Sequence, residues 1–329
     1  MQLTRKGDSK SETFPDLSVI VTIVDGEPAL TRCLEALCKQ VDPPPLEIIV
    51  PYDDTIHQVA RLAEHFPTAR FLFLGSLSKS GLPGNAFAQH DLYDRRRAGG
   101  LRAARGRLLA MLEDRGTPRS DWARSMFELH DGTSCAAVGG AIENGSDTPL
   151  GWAVFFCDFG RYQSPLQLCD AEYLSDVNIC YKRDALESVR KLWEEKYQEP
   201  AVNWALRRQG RRLILSGRPI VIEAREQTSL RSLLAERIHW GRVFGQIRGR
   251  ATTPFRNVLW AAATPLLPAL LFVRHLQRQL EKRRNVPDFI RATPAILVLL
   301  VFWTIGELIG YCEAGIELLK SSPRRKASA

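Results

Sequence analysis

The sequence predicts an α/β protein: a doubly wound, mostly parallel sheet followed by a C-terminal apolar helical hairpin. Three observations carry this prediction. Short apolar runs alternate with segments of helical spacing through the first half of the chain. Two of those runs end in acidic pairs, Asp53-Asp54 and Glu113-Asp114. The C-terminal part holds two long apolar stretches on either side of a basic segment.

The elements follow in order. Leu17–Val24 is a β-branched run, and Asp25-Gly-Glu-Pro28 turns the chain into a helix over Leu30–Lys39. Its apolar residues Leu30, Cys33, Leu34 and Leu37 share one face. Pro43-Pro-Pro45 breaks the chain before the strand Leu46–Val50. A second helix is expected at Val59–His65, and a third strand at Arg70–Leu74. A Gly/Ser loop, Gly75–Gly84, leads to a helix carrying Arg95, Arg96 and Arg97, then to the strand ending at Glu113-Asp114. A strand at Ala136–Ile142, the aromatic segment Gly151–Tyr173, a helix start at Arg183 and a helix from Glu199 to Gly210 complete the first part. In an open α/β sheet, ligands bind beyond the carboxyl ends of the strands, so carboxylates there can grip a nucleotide or a hard cation.

The chain has 329 residues, 45% hydrophobic and 25% charged, which suits a folded protein and argues against long disorder. Its net charge of +8 is uneven: 16 Lys/Arg against 6 Asp/Glu from Thr228 onward, and a slightly acidic remainder. A near-neutral half joined to a basic, apolar tail points to an anionic membrane surface and away from nucleic acid. The seven cysteines form no C-x-x-C pair, which fits reduced thiols in the cytosol. Residues 1–16 are polar and show no secretory signal.

Val258–Val273 has no charge but contains Pro265 and Pro268; the second stretch, Thr293–Cys312, is interrupted by Glu307. A straight span takes about 20 apolar residues. If both stretches crossed a bilayer, the basic segment between them, Arg274 to Arg291, would lie outside, against the positive-inside tendency. Re-entrant or interfacial helices would keep it on the cytoplasmic side. The organisation expected is a polar tail 1–16, a main domain 17–250, a membrane-associated helical region 251–315 and a basic tail 316–329.

Seven segments in fixed order then resemble the family 2 glycosyltransferases. They are Leu17-Ser-Val-Ile-Val-Thr22, Glu47-Ile-Ile-Val-Pro-Tyr-Asp-Asp54, Arg97-Ala-Gly-Gly-Leu-Arg-Ala-Ala-Arg-Gly106 and Met111-Leu-Glu-Asp114. Asn178-Ile-Cys-Tyr-Lys-Arg183, Gln198-Glu199 and Glu236-Arg-Ile-His-Trp-Gly-Arg242 follow. The resemblance covers residues 17–250. Trp303-Thr-Ile-Gly-Glu-Leu-Ile-Gly-Tyr311 looks like the membrane tail of one bacterial branch.

The resemblance implies a GT-A-like, Rossmann-like sheet and transfer of a sugar, with inversion, from a nucleotide-diphosphate sugar to a lipid or lipid-linked hydroxyl. It implies that Asp53, with Asp54 beside it, binds the nucleotide base and that Arg97 binds the diphosphate. Glu113 and Asp114 would hold Mg²⁺ or Mn²⁺, although Arg115 replaces the third residue of the family's D-x-D. Glu199 would be the general base, with Gln198 and Pro200 departing from the family pattern. Asn178, His239, Trp240 and the aromatics of Trp152–Tyr173 fall on the acceptor side. The enzyme would be non-processive, at the cytoplasmic membrane, with its catalytic face in the cytoplasm.

A degenerate, non-catalytic nucleotide-sugar scaffold at the membrane is the alternative. A dinucleotide oxidoreductase is disfavoured, because no G-x-G-x-x-G follows the first strand. A nucleotidyltransferase is disfavoured because Asp25-Gly-Glu-Pro28 lacks a phosphate-cradling Gly/Lys loop.

Overall fold

The computed structural model describes residues 14–77, 86–225, 229–250 and 252–321. The strands are β1 (Leu17–Thr22), β2 (Leu46–Tyr52), β3 (Ala69–Phe73), β4 (Leu108–Glu113), β5 (Gly116–Pro118), β6 (Ala137–Asn144), β7 (Cys169–Asp170), β8 (Asn178–Lys182) and β9 (Leu213–Glu223). The helices before the tail are α1 (Ala29–Cys38), α2 (Ala86–Ala103), α3 (Trp122–Asp131), α4 (Pro149–Asp158), α5 (Arg183–Glu187) and α6 (Glu199–Arg208). Then come α7 (Leu230–Arg250), α8 (Pro254–Ala263), α9 (Leu267–Lys282) and α10 (Val286–Ser321).

One sheet runs in the order β3-β2-β1-β4-β8-β6-β9-β5, with β7 on β9. The pairs β3-β2, β2-β1, β1-β4 and β6-β9 are parallel. Only β8, β5 and β7 run against the rest, so the sheet is mostly parallel as the strand–helix alternation predicts. β1 and β4 are buried on both faces, which is why they read as continuous apolar runs rather than alternating ones. Their register places Thr22 beside Glu113, so the acid emerges at the carboxyl end of the sheet.

Two differences from the sequence reading have local causes. The segment expected as a helix at Val59–His65 is part of a 3₁₀ stretch over Asp54–Glu64, broken at Ile56. There Asp53 caps the backbone N–H of Thr55, which starts the coil earlier and tighter. Trp152, Phe155 and Phe156 are core residues on α4 and do not line the cavity: Trp152 stacks on Phe156, which Phe155 and Phe289 of α10 meet edge-on. Of the loop Gly75–Gly84, residues 78–84 lie outside the described residues.

Two helical stretches, Pro254–Lys282 and Val286–Leu318, are long and apolar enough to cross a membrane, with mean hydropathies of 1.4 and 2.1. They form an antiparallel pair whose turn returns to the sheet. Arg284 pairs with Glu143 at 3.0 Å, Arg291 donates to the Asp147 carbonyl, and Lys282 donates to the Gln163 carbonyl. Phe289, Ala292 and Ile296 of α10 are fully buried in the same core as Phe155 and Ile179. Farther along, α10 runs against α7 with backbone touching backbone. A methyl on Gly306 would collide with the Ile238 carbonyl, and one on Gly310 with that of Arg242. Apolar side chains on the other faces stay exposed, Phe255, Leu266 and Ile290 among them.

Candidate active site

A cavity of about 590 Å³ lies between the carboxyl end of the sheet and helices α7, α9 and α10. Arg97, Glu113, Glu199 and Trp240 line it, drawn from four separate segments of the chain. Arg97 is buried and ties the polar end together. Its guanidinium meets Glu113 at 2.7 Å, Asp176 at 2.9 Å and Asp94 at 3.4 Å. α2 sets this geometry by presenting Asp94 and Arg97 three residues apart, on one face.

Glu199 sits in the first turn of α6, with Pro200 behind it. Its Oε1 is buried and has no hydrogen-bond partner among the described residues. Burial pushes its carboxyl well above the usual range, and the charge of Asp176 adds to this; a hydrogen bond from Tyr173 works the other way. Burial also raises Glu113, against the pull of Arg97, and lifts Asp94 to about 7. A carboxyl at the helix start that holds its proton to unusually high pH, beside a second carboxyl group, is an acid–base pair in form.

Of the other predicted residues outside the aromatic segment, Trp240 lines the cavity and the rest do not. Asp53 is fully buried and accepts from Arg96 at 3.0 Å and from both the backbone N–H and the hydroxyl of Thr55. Burial would raise its pKa, but these partners win and hold it low. Asp54 is exposed at the start of the 3₁₀ stretch. Neither lines the cavity. Asp114 spends its two carboxylate oxygens on the backbone N–H groups of Val24, Asp25 and Gly26, fixing the loop after β1. Asn178 is buried between the Trp122 indole and the carbonyls of Ala141 and Pro219, bracing the sheet. His239 stacks on His90 at 5.6 Å, and Trp240 meets the same ring edge-on at 4.3 Å. Burial drives His90 down to about 4, so that ring is neutral.

Among the described residues no group of three or more His, Cys, Asp or Glu could hold a metal ion. Within the Glu113-Asp114 pair only Glu113 lines the cavity, paired there with Arg97, so any divalent cation brought by a substrate would fall to Glu113. It would be a single protein ligand beside substrate phosphates, a common arrangement for Mg²⁺. Arg115, next in sequence, pairs with Asp25 at 2.6 Å.

Sequence reasoning missed several lining groups. Asp176 stands in the loop two residues before β8. Arg225 follows β9 and meets Glu236 at 3.2 Å and Glu223 at 3.5 Å. Burial lifts Glu223 to about 7. Of the aromatic segment, Phe159, Tyr162 and Tyr173 do reach the cavity wall. An acid directly before a buried strand was a readable signal for Asp176. Arg225 offered none, because β9 itself was not foreseen.

No protein-family model and no curated protein matches this chain by sequence. Among solved structures, the mannosyltransferase PcManGT from Pyrobaculum calidifontis, in complex with GDP-Man and Mn²⁺, is similar in fold, with a TM-score of 0.50 at 17% identity. The match covers 94% of this chain and 88% of that one. The likeness gives this chain a glycosyltransferase-like fold.

Proposed function

We propose that the protein is a nucleotide-sugar-dependent, inverting glycosyltransferase working at a membrane surface. The observation that carries the reading is the convergence of Arg97, Glu113 and Glu199 on one cavity, joined through Asp176. The fold neighbour's complex with GDP-Man and Mn²⁺ supports a donor of the same chemical class. Arg97 and Arg115 offer guanidinium groups to the donor diphosphate. Asp53 acts from behind, positioning Arg96, whose Nη1 also holds the Ile23 carbonyl at the end of β1. A divalent cation bound with the donor at Glu113 would neutralise charge on the leaving diphosphate.

Above its raised pKa, the ionised Glu199 removes the proton from the acceptor hydroxyl as its oxygen attacks the anomeric carbon, and the diphosphate leaves from the opposite face. Trp240 gives that side an apolar ring. The exposed apolar faces of α8, α9 and α10 and the basic tail support association with an anionic membrane. Because the turn at Arg284 rests on the sheet, we place both helices in one leaflet, with the sheet beside them in the cytoplasm. The membrane-associated region 251–315 then borders the main domain 17–250 along its length.

Donor hydrolysis and transfer, measured with a panel of nucleotide sugars for the wild type and Glu199→Gln, test the reading. Turnover by the wild type that the substitution abolishes supports it. Nucleotide binding without turnover in either protein transfers the case to the non-catalytic scaffold.

A further inference from the structure

Eight arginines line the cavity. Five face carboxylates, Arg97, Arg115, Arg225, Arg237 and Arg248, and Arg97 and Arg115 among them are already assigned to the donor. The other three, Arg161, Arg274 and Arg278, form no salt bridge among the described residues. They are nonetheless close enough that Arg161 and Arg274 act electrostatically on Arg278. Glu281, the carboxylate that acts on Arg278, is exposed and outside the cavity lining. Beside them stands the buried Tyr162 hydroxyl, which lacks a hydrogen-bond partner among the described residues. Arg161 and Arg274 are exposed and Arg278 half-buried, so this wall carries three cations without a paired carboxylate among the described residues, a setting that favours an anion.

The surroundings say which anion. Val243 and Ile247 of α7 and Leu267 and Leu271 of α9 line the same cavity, so the cationic groups share it with apolar side chains. Leu266, Leu270 and Val273, on the same stretch of chain, are exposed on the outer face that the membrane reading gives to lipid. A small free anion would leave those apolar side chains without a partner. We propose that Arg161, Arg274 and Arg278, with the Tyr162 hydroxyl, bind the phosphate of an acceptor lipid whose apolar chain lies along Val243, Ile247, Leu267 and Leu271. This rests on the glycosyltransferase reading and adds the chemical class of the second substrate. Arginine suits phosphate through its forked, permanently charged donors.

The test is calorimetric titration of the full chain in a maltoside detergent with dodecyl phosphate, dodecanol and inorganic phosphate. Dodecyl phosphate is expected to bind saturably and at least about tenfold more tightly than either of the others. Arg274→Gln with Arg278→Gln weakens that binding by about tenfold or more, whereas the double Lys variant, which keeps the charge, loses much less. Circular dichroism of both variants checks that they fold. Equal affinity for dodecanol, or Gln variants that bind as the wild type does, overturns the proposal. Inorganic phosphate binding as tightly as dodecyl phosphate overturns the lipid assignment. A nucleotide-sugar titration separates the two readings. Donor binding without dodecyl phosphate binding sinks the acceptor site alone, and the reverse result sinks the glycosyltransferase reading while the anion site stands.

Discussion

Replacing Arg97 by Met is the most demanding check on the site. The guanidinium is buried against three carboxylates at 2.7, 2.9 and 3.4 Å, and Met keeps much of its length and packing without the charge. Removing one partner of a buried ion pair costs about 3–5 kcal/mol, because the remaining charge stays desolvated. Here Glu113, Asp176 and Asp94 remain, and Glu113 and Asp94 are already raised by burial. Without Arg97 they rise further. An acid raised in the folded state leaves stability untouched below its unfolded pKa. It then lowers stability as pH climbs from there to the folded value, since the unfolded chain ionises first. The deficit of the variant should therefore be largest near about pH 8 and shrink toward about pH 5.5, as protons replace the missing cation. Urea unfolding in mild detergent, followed by tryptophan fluorescence at both pH values, measures it. A loss below about 1 kcal/mol, or one of equal size at both pH values, would refute a buried charge cluster centred on Arg97.

Further expectations concern the base and the helix contacts. Glu199→Gln should cut turnover by about 10²–10⁴-fold while nucleotide binding, read by thermal shift, is kept. Asp176→Asn removes the charge that helps hold the Glu199 proton, so the acidic limb of the pH–rate profile should move to lower pH; a limb that stays put contradicts the pairing. Gly306→Ala should destabilise by about 1–3 kcal/mol through its collision with α7, although alanine favours a helix by about 1 kcal/mol. Gly315→Ala, whose nearest foreign atom would be the Asn257 amide at 3.5 Å, should be neutral or stabilising. Thermal melts that reverse this order would contradict the backbone contact. Asp114→Ala strands the backbone N–H groups of Val24, Asp25 and Gly26, at about 1–3 kcal/mol for each group left buried and unpaired; a melt matching the wild type would argue against that brace.

Much of the architecture was readable because its causes are local. Runs such as Leu108–Leu112 are continuously apolar since both faces of β4 are covered. The helix Leu30–Lys39 shows its buried face in the spacing of Leu30, Cys33, Leu34 and Leu37. Arg97, Glu113 and Glu199 could be picked out because each sits at the end or on the face of a legible element. Asp53 and Asp114 look identical to them in sequence; what separates them is whether Arg96 or a turn of backbone N–H groups arrives to occupy the carboxylate. That depends on packing between segments far apart in the chain. Asp176 and Arg225 depend on it even more, since both sit in loops whose importance follows only from where β8 and β9 join the sheet.

The return of the hairpin turn to the sheet has a practical corollary. Phe289, Ala292 and Ile296 plug the interior beside Phe155, so the segment that hydropathy would trim away as an anchor is a wall of the sheet-bearing half. Cutting the chain after Arg250 would not release a tidy soluble domain but one with its interior open to water. Work on the protein must therefore carry the whole tail, since the partition it forms belongs to both halves.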